Sequence, residues 1–241
     1  ALVVSELLRP NKVKYRAADF TWLGSSNQTN TIFVVRKDAG AKKWQDLRTK
    51  QVIIGNTGPG STSFLIPRMM KVMLNLKIKQ IAGYKGSSKT ILAMERGEHQ
   101  GTGFNWLAWN SKVPQWFKKE TEFAVALMQT GVFVDPDLPN VPMLKDQVSA
   151  KHKPIVNFMA TLGIIGRGLA LPPGAPKKLV VPLRAAFAKM VADPKYIADT
   201  KKRRLRILAT SGAEIQSFVK KAFATANPEV VGLGRKLIFG K

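Results

Sequence analysis

The apolar run Val52-Ile53-Ile54 ends in Gly55-Asn-Thr57-Gly58-Pro-Gly60-Ser61-Thr62-Ser63, and apolar residues at helical spacing follow directly. A chain written this way turns from strand to helix through a glycine loop, which restricts it to folds that alternate sheet and helix. Phe64, Leu65, Met69, Met70, Met73 and Leu74 recur at a period close to 3.6. Pro67 fits this helix if its regular part begins near Ile66, with the proline in the first turn. The pattern then repeats. Lys77–Ala82 predicts a strand, Gly83-Tyr84-Lys85-Gly86 a loop, and Ser87 or Ser88 the cap of a helix through Ile91, Leu92 and Met94 that stops before Gly97. Two such units in succession predict a parallel sheet whose ligands sit beyond the strands' carboxyl ends.

The chemistry of the first loop suits an anion. Gly55, Gly58 and Gly60 allow backbone angles that point amide N–H groups into one concavity. Thr57, Ser61, Thr62 and Ser63 add hydroxyl donors, and the helix start behind them favours negative charge. The spacing matches neither the P-loop, whose Lys-Ser/Thr pair is absent, nor the dinucleotide fingerprint. An ordinary strand-to-helix turn remains the competing reading. In the second loop Tyr84 is a stacking or hydroxyl contact or a core-edge aromatic, and Lys85 attracts the anion or is merely solvated. Gly86 completes this loop. Asn105, after Gly101-Thr-Gly103, is a donor to the ligand or a turn residue. Ser25, Ser26 and Asn27 line the cleft or form a polar loop.

Elsewhere, Thr31–Val35 and Phe123–Met128 read as buried strands, and Ala41–Leu47 as a short helix. Trp106, Trp109 and Trp116 lie at helical spacing; core packing is the stronger reading, with an aromatic-acid pocket wall as the other. Asp135-Pro-Asp137-Leu-Pro-Asn-Val-Pro142 is a turn-rich loop, its paired aspartates explained by turn chemistry. A strand after Gly163 leads into a helix from Lys177, with Leu179, Val180, Leu183, Ala186, Phe187 and Met190 at core spacing. A last helix covers Ala213–Ala226.

Composition narrows the function. At 241 residues and 45% hydrophobic content the chain builds a real core, in one large domain or two smaller ones. It has no apolar stretch of membrane-spanning length, so it is not expected to be membrane-embedded. The start, Ala1-Leu-Val-Val-Ser5, has neither Met nor signal-peptide features, so the chain reads as processed, truncated or excerpted. Zero cysteines exclude disulfides and thiolate chemistry. His99 and His152 lack spaced acidic partners, and no serine lies in a nucleophile elbow, so no metal site, catalytic residue, cofactor or enzyme activity is expected. The net charge of +24 attracts polyanions, acidic membrane surfaces and anionic small molecules alike. Its densest run, Lys201-Lys-Arg-Arg-Leu-Arg206, reads as a solvated face rather than a dedicated nucleic-acid contact.

At Gly55–Ser63, Gly83–Gly86 and Arg167–Pro176 the sequence resembles the TctC or Bug family, the periplasmic solute-binding proteins of tripartite tricarboxylate transport systems. Asp19-Phe20, Gly97-Glu98, Asp137–Pro142 and Leu171-Pro-Pro-Gly-Ala-Pro176 extend the likeness in order along the chain. The resemblance implies an α/β, two-lobed periplasmic-binding-protein type II (Venus-flytrap) architecture that closes on a small organic carboxylate. Residues 1–34 and 168–241 would form lobe 1, and 35–167 lobe 2, with bending near 33–37 and 165–170. Lobe 1 would be incomplete at its N-terminus, because the family's opening strand, glycine loop and helix have no counterpart here. The ligand residues carried over by position are Thr57, Gly58, Gly60, Ser61, Thr62, Ser63, Tyr84, Lys85 and Gly86, and the residue chemistry adds Asn105, with Ser25 and Asn27 from the other side. The implied partners are the carboxylate and the membrane subunits of a tripartite tricarboxylate transporter, and the implied location is periplasmic. The alternative is a polyanion-binding module, nucleic-acid or heparin-like, driven by the basic surface.

Overall fold

The computed structural model describes residues 2–224 and 226–240. Two sheets organise it. The larger contains β2 (Thr31–Arg36), β3 (Val52–Asn56), β4 (Ile78–Ala82), β5 (Gly101–Asn105) and β6 (Ala124–Thr130), in the order β4-β3-β5-β2-β6. The smaller pairs β1 (Thr21–Ser25) with β7 (Gly168–Leu171) on one side and β8 (Thr210–Ser211) on the other, all antiparallel. The expectation of a parallel sheet holds only for β4, β3 and β5. β2 runs antiparallel to both β5 and β6, so the large sheet is mixed. The repeat of loop and helix fixes the direction of neighbouring units, whereas β2 finds its partners about 70 and 95 residues along the chain, where no local pattern reaches.

Each parallel strand feeds a helix. After α1 (Leu2–Leu8), β3 leads to α2 (Thr62–Met73), β4 to α3 (Gly86–Glu95) and β5 to α4 (Trp106–Lys112). α2 begins at Thr62, earlier than its proline suggests, and carries buried Pro67 in its interior. The residue preceding α3 is Lys85, whose side chain makes no cap bond, so neither Ser87 nor Ser88 is the cap. Residues 44–48 form a 3-10 turn rather than an α-helix. Trp106, Trp109 and Trp116 are buried with Phe104, and the partly buried Phe117 packs against them, which settles them as core.

After β6 come α5 (Leu144–Gln147), α6 (Lys153–Ala160) and α7 (Leu162–Ile165); then, beyond β7, α8 (Lys177–Ala192), α9 (Pro194–Lys202), α10 (Gly212–Ala224) and α11 (Pro228–Phe239). The chain passes from small sheet to large through residues 26–30 and returns through 163–167. The expected bending region at 33–37 lies instead inside β2 and its exit. Val4 and Leu8 of α1, and Leu237 and Ile238 of α11, belong to the large-sheet core with Phe33, Ile54 and Met69. Val3, Trp22, Ile165, Ile215 and Val219 form the small-sheet core.

α8 departs furthest from expectation. Of its sixteen residues only Phe187 is buried; Leu179, Val181 and Leu183 are exposed. Phe187 lies where a side chain on Gly24 of β1 would have to sit. Among the described residues a sheet of three short strands does not cover the whole apolar stripe of this four-turn helix.

Two close approaches set the positions of the elements. A Cβ on Gly163 would overlap the Thr29 carbonyl oxygen, and one on Gly166 that of Asn27, so the two crossing segments press backbone on backbone. Thr29 N donates to Gly163 O at 3.2 Å. Gly166 also has φ +49°, which side chains rarely adopt. Beneath the large sheet's glycine loop, the ring of His99 fills the place of a Gly55 side chain. Gly55 is therefore a packing glycine, not a source of unusual backbone angles. His99 is buried, with Nε2 3.0 Å from Thr90 O on α3, so it wedges β3 against that helix.

Two outcomes are expected. Gly174→Ala, at φ +78° with open space around it, should cost about 1 kcal/mol. Gly166→Ala should cost more than twice as much, read as a shift in urea midpoint at unchanged slope. The second concerns His99, whose pKa burial lowers from the ordinary 6.5, against the smaller raising effects of the Thr90 and Gly101 backbone and Glu98 and with a minor lowering by Arg36. The unfolded chain then takes up this proton more readily, so stability holds above about pH 6.5 and falls as pH drops below it. His99→Gln should flatten the slope of stability between about pH 7 and 5; an unaltered slope would remove His99 as its source.

Candidate functional site

Because β3, β4 and β5 are parallel, their carboxyl ends share one edge, and α2, α3 and α4 all begin there. A cavity of about 400 Å³ opens between these three starts. Thr57, Ser61, Thr62 and Ser63 line it from the first loop, Gly86 and Ser87 from the second, and Phe104, Asn105 and Ala108 from the third. The N-terminal end of a helix carries partial positive charge and unpaired amides, so three of them facing one space favour an anion there.

The hydroxyls of the first loop are arranged among themselves. Ser61 Oγ donates to Gly58 O at 2.7 Å and lies 2.8 Å from Ser63 Oγ. Thr57 N donates to Ser63 Oγ at 3.2 Å, with Thr57 Oγ1 3.3 Å from the same oxygen. Ser61 O accepts from the amides of Phe64 and Leu65, leaving those of Thr62 and Ser63 as the open donors of the first turn. Gly58 holds the loop's bend at φ +144°, with nothing within 4 Å of the point where a Cβ would stand. The carbonyl of Asn56, at the end of β3, accepts from both Gly83 N (3.1 Å) and Tyr84 N (3.3 Å), tying the two loops together.

Asn105 is the residue before α4 and lines the cavity. Its Oδ1 accepts from Ala108 N at 2.8 Å and caps α4, which leaves its amide group as a donor beside the cavity. Gly60 and Gly58 support the loop without lining the space. Tyr84 turns aside: its hydroxyl donates to Glu98 Oε2 at 3.3 Å and its ring packs edge-on against His99. Lys85 is exposed and does not line the cavity. Ser25 and Asn27 are buried in the crossing segment, Ser25 Oγ donating to Asn27 O at 3.0 Å, where they back Gly166 rather than face the cavity.

Of the five lining residues beyond the expected set, four besides Ala108 change the site's character. Ser87 adds a hydroxyl from the first turn of α3. Phe104 supplies an apolar wall. Lys112 lines the cavity from α4 while its Nζ donates to Ser88 Oγ at 2.7 Å. Arg167 reaches the cavity from the other side, at the foot of β7, and forms no hydrogen bond or ion pair among the described residues. Among those residues no aspartate or glutamate lines the space. In the sequence Arg167 opens the Arg167–Pro176 stretch between Gly166 and Gly168, and those glycines mark a close backbone approach rather than a ligand. Among the described residues no group of three or more His, Asp or Glu side chains is placed to hold a metal, and no helix is long and apolar enough to cross a membrane.

No protein-family model matches the chain, and no curated protein matches it in sequence. Solved structures do match in fold. A TctC solute-binding protein from Polaromonas aligns with 100% of this chain and 75% of its own, at 17% identity and a TM-score of 0.64. MatC from Rhodopseudomonas palustris with bound malate covers 94% of this chain, again with 75% of its own, at 17% identity and a TM-score of 0.68. The periplasmic binding protein BugD covers 98% against 75%, at 18% identity and a TM-score of 0.66. A quarter of each neighbour therefore has no counterpart in the aligned part, and what is shared is the chain trace. The α/β arrangement described here shares its fold with the solved TctC- and Bug-type solute-binding proteins.

Proposed function

We propose that this protein is an extracytoplasmic receptor that captures a small organic carboxylate and hands it to a transporter of the tripartite tricarboxylate type. The observation that carries this reading is the meeting of three helix starts and Arg167 on one acid-free cavity. The Thr62 and Ser63 amides, the Ser87 hydroxyl and the Asn105 amide group supply donors to a carboxylate on the large-sheet side. Arg167 supplies a full charge from the small-sheet side. A ligand gripped from both sides binds the closed arrangement better than the open one, which is the differential affinity that closure needs. The bending takes place where 26–30 and 163–167 cross. The malate bound by MatC is a ligand of the kind this cavity suits. The groups present bind and orient; none is paired as nucleophile and base, so the reading is a receptor and not an enzyme.

The polyanion alternative rests on net charge alone. It predicts an affinity that falls steeply with salt, whereas a carboxylate enclosed between helix starts is screened less.

Calorimetric titration with malate, other di- and tricarboxylates, amino acids and aromatic acids tests the proposal, with a thermal-shift rise as the parallel signal. At least one carboxylate should bind, and a protein that binds none of them while retaining DNA or heparin would reverse the two readings. For that carboxylate, Arg167→Gln should weaken binding about 10- to 100-fold, the worth of a charge-assisted hydrogen bond, with little change in unfolding temperature. Gly58→Val, strained by its backbone angle, should weaken it about tenfold or more. Unchanged affinity in both would mean that the carboxylate sits elsewhere.

A further inference from the structure

The basic run at Lys201–Arg206 is not uniformly solvated. It leaves the end of α9 through Arg204, at φ +56°, and continues to Leu208, whose amide donates to Ser26 O at 3.0 Å before β8 joins the small sheet. Midway, Arg206 reaches across to the loop that follows β6 of the large sheet. Its Nη2 donates to both carboxylate oxygens of Asp135, at 3.0 and 2.8 Å, and its Nη1 lies 3.8 Å from Asp137 Oδ1. Asp135 is fully buried, while Arg206 retains about a third of its side-chain exposure, at 31%.

Both aspartates are held in place before the arginine arrives. Asp135 N donates to Gln129 Oε1 at 2.9 Å, and Asp137 N to Asp135 Oδ1 at 3.1 Å. Trp106 Nε1 donates to Asp137 Oδ2 at 2.8 Å, fixing the loop to α4. Gln129 is itself buried and bonded to Asn30 and to the Leu138 carbonyl. The acceptors thus belong to the large-sheet side and the donor to the small-sheet side. Asn110, on the same helix as the cavity residues Ala108 and Lys112, donates across the same gap to Arg204 O at 3.5 Å.

We propose that Arg206 and the Asp135–Asp137 loop form a latch between the two sides of the cleft, which holds them together before any ligand arrives. The physical reason is the asymmetry of burial. With the arginine in place, the charge of Asp135 is paired and both of its carboxylate oxygens accept hydrogen bonds. Without it, a buried carboxylate is left uncompensated, and parting the two sides admits the water that solvates it. The latch therefore sets how far the cleft stands open at rest, and so how much of the binding energy a ligand must spend on closure. This inference rests on the two-sided receptor reading above.

The absence of cysteine makes the test direct. Spin labels on Lys119→Cys, in the large-sheet part, and Lys189→Cys, on α8, report the separation of the two sides by pulsed electron resonance. In the ligand-free full chain, Arg206→Ala should add a longer-distance population, with the open-to-closed ratio rising about tenfold while secondary structure is retained. Asp137→Asn, which touches only the longer contact and keeps the Trp106 bond, should move the distribution little. If Arg206→Ala does not fold, Arg206→Gln should show the same opening and Arg206→Lys should stay near the parent. Distances in Arg206→Ala or Arg206→Gln that superimpose on the parent, while malate shortens them in both, would overturn the latch and leave the receptor reading standing. Distances that respond neither to substitution nor to malate, or to any carboxylate found to bind, would overturn both.

Discussion

Strands that run in one direction end on one edge, and in this chain each of three such ends is the start of a helix. That geometric fact, more than any individual side chain, is what the candidate site depends on. Backbone dipoles and unpaired amides are contributed by α2, α3 and α4 without any residue having to carry a charge. The hydroxyls of Ser61 and Ser63 are largely occupied in shaping the first loop, and Gly58 and Asn56 keep it beside the second. Side-chain charge enters only from Lys112 and Arg167 at the margins. Such a site recognises the sign and size of a ligand's head before it recognises anything else.

Much of this is legible in the residues because it is local. The passage from Val52–Ile54 through a glycine loop into a 3.6-period helix encodes its own geometry, and the strand, loop and helix order repeats at the second loop. What is not legible depends on partners distant in sequence. Gly55 reads as a flexible loop residue, but its lack of a side chain makes room for His99, more than forty positions along. Ser25 and Asn27 read as cleft residues because they are polar, yet they back Gly166 at the crossing. Arg167 has no pattern of its own; only the return of the chain from α7 to β7 brings it opposite the helix starts. The stripe on α8 shows the opposite failure, since periodicity states that a face is apolar and not that anything lies against it.

The distribution of charge also reads differently once the fold is known. A net +24 suggests a surface looking for a polyanion, and the densest basic run suggests where. One member of that run is instead committed internally, to carboxylates presented by a loop whose prolines and paired aspartates suggest simple turn chemistry. Both readings are locally reasonable. The aspartates do make a turn, through Asp137 N and Asp135 Oδ1, and it is that turn which aims the second carboxylate oxygen at Arg206.

The bare side of the small sheet has a consequence for how the molecule behaves in solution. Among the described strands β7 pairs only with β1, so its outer rim keeps unshared amides and carbonyls, and Leu169 with Leu179, Val181 and Leu183 of α8 places oily surface close by. A rim of that kind invites lateral stacking of one molecule on another. Mutual repulsion of strongly cationic molecules opposes it, and that repulsion is long-ranged only in dilute electrolyte. Among the described residues this apolar face lies apart from those that line the cavity, and salt shortens the range of the repulsion between molecules.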